Sequence, residues 1–134
     1  MARILVAASP EPRAILERIL AGHDLVCAET VEQAERLLSD QTFDLIICTV
    51  VFDESRMFDL LRLARSSPAG QRISFVGARI RRQVLESRLA LEGIAFTCQT
   101  LGAEAFLDYP SYQVDPDREM REAIDQILAA PPKP

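Results

Sequence analysis

The sequence predicts an α/β domain in which helices cover both faces of a parallel sheet of five strands. Short apolar runs alternate with longer stretches whose apolar residues recur at helical spacing. The run 45–48, inside a predicted strand at 43–48, is apolar without a break, as is typical of strands buried on both faces. The length of 134 residues fits one domain, expected over 1–130 and followed by a proline-rich tail at 131–134.

The first half of the chain is expected to hold three strands and two helices. The strands are predicted at 3–8, 25–28 and 43–48. Ser9 and Pro10 suit the start of a helix over 11–21, because serine accepts from free amides and proline has no amide to leave unpaired. Thr30 and Gln33 have the spacing of a capping box, which predicts the start of the second helix.

The second half of the chain alternates in the same way. Helices are predicted at 58–65, at 80–101 and after Asp115, strands at 73–76 and 105–107, and a loop at 66–70. Gly93 lies within the long stretch 80–101. Because glycine weakens a helix, this stretch is predicted either as one helix or as two.

The overall charge argues against one class of function, and its distribution singles out one segment. A net charge of −5 is unfavourable for a nucleic-acid-binding domain, which needs an excess of basic residues. Within seventeen residues, however, five arginines share a segment with one acid, Glu86. They are Arg72, Arg79, Arg81, Arg82 and Arg88. Such a cluster indicates either a solvated helix face or a docking patch for an acidic partner.

Cysteine spacing and hydropathy limit the cofactors and the location. Cys27, Cys48 and Cys98 have no zinc-binding or redox spacing, so we expect reduced thiols in the core. No glycine-rich phosphate loop can be recognised, and no cofactor is predicted. No apolar run approaches the roughly 18 residues of a membrane span, and no secretory signal is recognisable. These features favour a soluble, cytoplasmic protein without membrane contact.

Several strings, in a fixed order, resemble the receiver domain of bacterial two-component response regulators. They are RILV at 3–6, TFDLII at 42–47, LGA at 101–103, FL at 106–107 and YP at 109–110. The resemblance implies a flavodoxin-like three-layer αβα sandwich with a parallel five-stranded sheet in the order 2-1-3-4-5. The segment before Gly102 is longer than in the family, which predicts an extended fourth helix region.

The resemblance also implies a site for phosphoryl transfer, which needs a carboxylate nucleophile, a divalent ion on acidic ligands, and a hydroxyl and a lysine at the phosphoryl group. The two acidic positions fall on Ala7 and Ala8, and the nucleophile falls on Thr49. The hydroxyl position falls on Gly77 and the lysine on Tyr109. At all five positions, the residue type that phosphoryl transfer needs is replaced. We therefore expect a pseudo-receiver that is not phosphorylated on aspartate, holds no metal and is not an enzyme.

An error of one residue in these assignments does not restore the site. Sliding the first strand brings in Ser9, and sliding the third brings in Cys48 or Val50. None of these residues is acidic.

Nearby acids leave an alternative open. Glu11 and Asp53 follow the first and third strands and could hold a divalent ion, or Thr49 could be phosphorylated, in an active switch within a phosphorelay. The other interpretation is that Glu11 complements a helix N-terminus, whereas Asp53 and Asp108 are surface acids. A small enzyme of this fold is a third, less favoured hypothesis.

The sequence therefore favours an atypical receiver-like signalling module that acts by protein–protein interaction. Its partner would be a signalling protein or a second copy of the chain. The candidate partner face is built on the fourth helix region, the end of the fifth strand and the last helix. Its residues are Arg79, Arg81, Arg82, Arg88 and Tyr109.

Overall fold

Five parallel strands form one sheet in the order β2-β1-β3-β4-β5 in the computed structural model, which describes residues 1–82 and 87–130. The strands are β1 (Arg3–Ala7), β2 (Asp24–Ala28), β3 (Leu45–Thr49), β4 (Ser74–Arg79) and β5 (Ala105–Asp108). The predicted flavodoxin-like fold and its strand order are confirmed. The predicted tail, 131–134, lies outside the described residues.

Helices flank the sheet on both sides. They are α1 (Pro10–Ile19), α2 (Val31–Asp40), α3 (Phe52–Ser55), α4 (Met57–Arg65), α5 (Pro68–Gln71), α6 (Arg88–Thr100) and α7 (Pro116–Ala129). A 3-10 turn, Tyr109–Ser111, follows β5. Within the described residues, no helix is long and apolar enough to cross a membrane.

The predicted caps at Thr30 and Asp115 are confirmed, whereas the Ser9 side chain accepts no hydrogen bond from the start of α1. The Thr30 hydroxyl accepts from the Gln33 amide at 3.1 Å, and Asp115 accepts from the Arg118 amide at 3.3 Å. The loop predicted at 66–70 was wrong in part, because the Ser67 side chain caps the single turn α5.

Two apolar layers hold the helices on the sheet, and β3 contributes to both because its side chains alternate. Leu45 and Ile47 pack on the α1–α7 face, with Leu16 of α1 and Ile124 of α7 among their cluster. Ile46 lies in the other cluster, on the face covered by α2, α4 and α6. Burial on both faces explains why residues 45–48 of β3 are apolar without interruption.

Helix α6 differs from the prediction. It begins at Arg88 rather than near residue 80, and it continues through Gly93 without a break. The helix is largely apolar, yet only Cys98 among its thirteen residues is buried. Leu89 and Phe96 are 80% and 72% exposed. A helix with this composition is usually covered, so α6 presents an uncovered apolar surface.

Helix α3 is a left-handed turn. Asp53, Glu54 and Ser55 have φ angles of 47°, 55° and 66°, although none is glycine. The left-handed conformation costs a non-glycine residue roughly 1–2 kcal/mol. Buried Phe52 anchors the turn in the core, and the Asp53 carboxylate accepts from the Val31 amide at 2.8 Å. No sequence signal marks this turn, because glycine is absent from it.

Arg65, at the end of α4, joins four segments. Its guanidinium donates to the carbonyls of Gly102 (2.8 Å), Gly70 (2.8 Å) and Ile73 (2.7 Å). It also forms an ion pair of 3.2 Å with Glu104, whose carboxylate accepts from the Phe75 amide. Arg65 therefore fixes α5, the start of β4 and the turn before β5 relative to α4.

Replacing Arg65 with alanine is expected to destabilise the fold by about 3 kcal/mol, because it removes the guanidinium that neutralises the half-buried Glu104 carboxylate and donates to three carbonyls. The matched control is Arg62→Ala on the same helix. Arg62 has an exposed ion pair of 3.8 Å with Asp59, so its loss should cost less than about 0.5 kcal/mol. Urea unfolding of both variants measures the difference. Equal destabilisation would contradict the role assigned to Arg65.

Replacing Glu54 with glycine is expected to stabilise the protein by about 1 kcal/mol, because glycine adopts a positive φ without steric cost. Glu54 is exposed, so no buried contact is lost. The control is Glu35→Gly in the middle of α2, which should destabilise by about 1 kcal/mol. Thermal unfolding should move the two variants in opposite directions, and a lower Tm for Glu54→Gly would refute the left-handed turn.

Candidate functional site

The candidate site lies at the carboxyl ends of the strands, where open α/β sheets bind their ligands. Ala7 ends β1, Ala8 follows it, and both are completely buried. Their methyl groups offer no oxygen ligand for a cation. The Ala8 amide donates to the Ala28 carbonyl at 3.1 Å, so the backbone at this position is also committed within the protein.

Thr49 ends β3 and is 2% exposed. Its Oγ1 atom has no hydrogen-bond partner among residues 1–82 and 87–130, so it does not bond to the backbone, as a polar residue at a strand end often does. Thr49 lines a cavity of about 20 Å³ that is also lined by Pro12, Ala78 and Arg81. A space of this size holds about one water molecule.

The sheet separates two positions that the resemblance brings together. In the parallel register, Thr49 lies beside Ala78 and Gly77 lies beside Cys48. Because side chains alternate along a strand, Gly77 belongs to the α2–α4–α6 face and Thr49 to the α1–α7 face. A side chain at residue 77 would therefore point away from Thr49.

The space at Gly77 is already filled. A Cβ atom there would lie 3.0 Å from Phe106 Cδ1 and 3.1 Å from both Cys98 Sγ and Met57 Sδ. Burial raises the pKa of Cys98 to about 11 and the pKa of Cys48 well above its usual value. Both thiols are therefore protonated and poorly nucleophilic.

The acids near the site are committed to partners within the chain. Asp53 binds the Val31 amide and lies 3.2 Å from Arg56 Nη1, and Glu11 forms an ion pair with Arg81. Within the part of the chain that the structure describes, no three His, Cys, Asp or Glu side chains are grouped to hold a metal ion. The geometry does not support the divalent site at Glu11 and Asp53. Asp53 is half-buried, which corrects its assignment as a surface acid.

Arg79 and Asp108 form a largely buried ion pair across the ends of β4 and β5. Arg79 Nε lies 2.6 Å and Nη2 lies 3.0 Å from the two carboxylate oxygens of Asp108. Arg79 is only 8% exposed. It therefore cannot lie on the predicted partner face, and Asp108 is not a surface acid. The sequence could not show this pairing because the two residues belong to different strands.

Tyr109 is engaged in hydrogen bonds with α1 and α7. Its hydroxyl donates to Asp117 at 2.6 Å and accepts from Arg18 Nη2 at 3.3 Å, while Arg18 Nε donates to Asp117 at 2.6 Å. The hydrogen bond to Asp117 is the main cause of the raised pKa of Tyr109, and Arg18 is the main cause of the lowered pKa of Asp117. The phenol of Tyr109 links the end of β5 to α1 and α7 by hydrogen bonds. Because it is neutral, it cannot supply the positive charge of the lysine that the resemblance places at this position.

The remaining arginines of the cluster are exposed, but they do not share one helix. Arg81 and Arg82 precede the residues that the structure leaves out, whereas Arg88 begins α6. Arg82 Nη2 donates to the Pro110 carbonyl at 3.3 Å. Glu86, the one acid of this segment, lies outside the described residues. Leu89 and Phe96 of α6 were not among the predicted face residues. Their spacing of seven residues, which places them on one side of a helix, could have indicated them.

No sequence model of a protein family and no curated protein matches the chain. Solved receiver structures do match its fold. A proposed response regulator from Chloroflexus aurantiacus J-10-fl has a TM-score of 0.77 and 18% identity, covering 96% of this chain and 98% of that one. A signal receiver domain of a histidine kinase from Syntrophus aciditrophicus has a TM-score of 0.75 and 22% identity, covering 96% and 91%.

A third structure carries a metal ion at its own site. The receiver domain of a sensor histidine kinase from Pseudomonas aeruginosa PAO1 has magnesium coordinated in its active-site cleft. It has a TM-score of 0.69 and 18% identity, covering 95% of this chain and 93% of that chain. Together, these similarities show that the chain has the fold of response-regulator receiver domains.

Proposed function

We propose that this protein is a receiver-like signalling module that acts by protein–protein interaction, without aspartyl phosphorylation and without enzymatic activity. The observation that carries the proposal is Thr49, which occupies the end of β3 and is buried with Ala7 and Ala8 close by at the end of β1. The chain therefore has no carboxylate at the three positions where the resemblance requires one.

The chemistry of phosphoryl transfer supports the same conclusion. A threonine hydroxyl is a weak nucleophile unless a base activates it, and Thr49 Oγ1 contacts no such base among the described residues. The phosphoryl group also needs a divalent ion and a cation. Asp53 and Glu11 are paired with arginines, and Tyr109 is neutral.

The alternative is an active switch that uses Thr49 phosphorylation or a divalent ion at Glu11 and Asp53. Burial of Thr49 keeps its hydroxyl from a kinase in this conformation. The contacts of Glu11 and Asp53 with their arginines disfavour the divalent ion. No observation favours this alternative over the interaction module.

The partner surface that we propose is centred on α6. Leu89 and Phe96 form its exposed apolar part, and Arg88, next to Leu89 at the start of the helix, adds an exposed basic side chain. Contiguous exposed apolar groups with a polar rim are typical of interaction sites. The partner would be a signalling protein with an acidic margin, or a second copy of the chain. The net charge of −5 disfavours nucleic acid.

Adding beryllofluoride, a phosphoryl mimic, with magnesium is expected to leave the amide spectrum of this protein unchanged, because the site lacks a carboxylate and metal ligands. The measurement is a two-dimensional NMR titration up to millimolar magnesium. The magnesium-binding receiver from Pseudomonas serves as the positive control. Magnesium-dependent shifts around Thr49 would refute the proposal that phosphorylation has been lost.

Replacing Phe96 with serine is expected to weaken association at least tenfold, since truncating a central aromatic residue of an interface typically costs 2 kcal/mol or more. The control is Val114→Ser, which changes an equally exposed apolar residue outside α6. Sedimentation measures self-association. Quantitative pull-down from native cells measures partner capture, and it is repeated with the Arg81→Glu/Arg82→Glu variant. If Phe96→Ser and Val114→Ser behave alike in both assays, the proposed surface is wrong.

A further inference from the structure

Helix α6 carries an exposed line of residues with two large side chains and a gap between them. Leu89 and Phe96 are 80% and 72% exposed, and their spacing of about two helical turns places them on one side of the helix. Gly93 is exposed between them on the same side. A Cβ atom at Gly93 would meet nothing within 4 Å. The backbone is therefore open to close approach at the centre of this line.

The line is complementary to a second copy of itself. When two copies of α6 cross in opposite directions about a two-fold axis near Gly93, every contact between the copies occurs twice. Leu89 and Phe96 lie roughly 6 and 4.5 Å along the helix on either side of Gly93, so Leu89 of each copy would face Phe96 of the other. The two Gly93 residues would meet at the crossing, where the absence of a side chain lets the backbones approach.

The charges of α6 also fit a second copy. Arg88 and Glu92 are the only charged residues of this helix, and both are exposed. The helix therefore brings no net charge to a contact between two copies, although the whole chain carries a net charge of −5. A strongly acidic partner would place its charges against Glu92, and a strongly basic one against Arg88, and such like-charge contacts are unfavourable.

We propose that α6 docks on α6 of a second copy of this chain in antiparallel orientation, with Phe96 of each copy against Leu89 of the other. The inference rests on the proposed interaction function and names its partner. A contact limited to one helix of thirteen residues, about 20 Å long, is smaller than a standard interface. The dimer should therefore be weak and dissociate on dilution.

The first test replaces Gly93 with leucine and measures the dimer dissociation constant by sedimentation. The new side chain has free space in the single chain, and leucine favours a helix more than glycine does, so the fold should be retained. Although the variant adds apolar surface, it should weaken the dimer about tenfold or more, because it overfills the crossing.

The matched control is Gln99→Leu, which adds the same side chain to an exposed position of α6 to the side of the line. This variant should leave the dissociation constant within about twofold of the parent, as expected for a surface change outside the contact. Nonspecific apolar adhesion would instead strengthen association in both variants. A Gly93→Leu protein that associates as tightly as the parent would overturn the proposal.

The second test measures the orientation. Leu89→Cys and Phe96→Cys proteins, each in a Cys27→Ser background, are mixed and treated with a short bifunctional thiol reagent, to which the buried Cys48 and Cys98 are not accessible. In an antiparallel pair, the mixed dimer brings the two new thiols together and retains its second Leu89–Phe96 contact, so mixed products should predominate. Products in the ratio of random collision, or a predominance of each protein linked to itself, would overturn the antiparallel dimer.

Failure of this inference can be distinguished from failure of the proposed function. A chain that stays monomeric even at about 1 mM would overturn the second copy as the partner. The interaction function would stand in that case if Phe96→Ser weakened capture of another protein more than Val114→Ser did. If Phe96→Ser changed neither self-association nor capture, both proposals would be wrong.

Discussion

The arrangement of the carboxyl ends of the strands depends on the ion pair between Arg79 and Asp108. Two buried charges are tolerated only when each is well paired, because the loss of hydration is large, and here the contact is bidentate. The pair fixes the ends of β4 and β5 to each other. It therefore sets where the chain leaves β4 toward Ile80 and Arg81, which line the cavity beside Thr49.

The charged groups at this end of the sheet pair with one another. Glu11 pairs with Arg81, Asp53 with Arg56 and the Val31 amide, and Asp117 with Arg18 and Tyr109. Phosphoryl transfer would need such groups to remain available for a metal ion and an anion. The same fold can host different functions, because function depends on the site and not on the fold alone.

The surface of α6 supports the interaction hypothesis in a different way from the arginine cluster that first suggested it. Two of the five predicted face residues, Arg79 and Tyr109, are engaged in internal contacts. The apolar side chains Leu89 and Phe96 of α6 are instead exposed. An interface centred on them would derive its affinity mainly from apolar burial, with the arginines contributing to specificity and association rate.

The sequence by itself determined the α/β architecture, because strands buried on both faces must be apolar without interruption, as 45–48 is. It determined the caps at Thr30 and Asp115, because capping depends on residues three apart. It also determined that carboxylates are absent at Ala7, Ala8 and Thr49. These features are local, and the composition of a short segment is sufficient to reveal them.

Only the tertiary structure decided which charges are available and which side chains share a face. The arginine cluster is basic in the sequence, but Arg79 and Arg81 are paired with acids from β5 and α1, which are distant along the chain. Gly77 and Thr49 lie on opposite faces because strand register, set by packing, determines the direction of each side chain. The left-handed turn at Asp53–Ser55 is likewise imposed by the burial of Phe52 and by the Asp53–Val31 contact, which only the folded chain brings together.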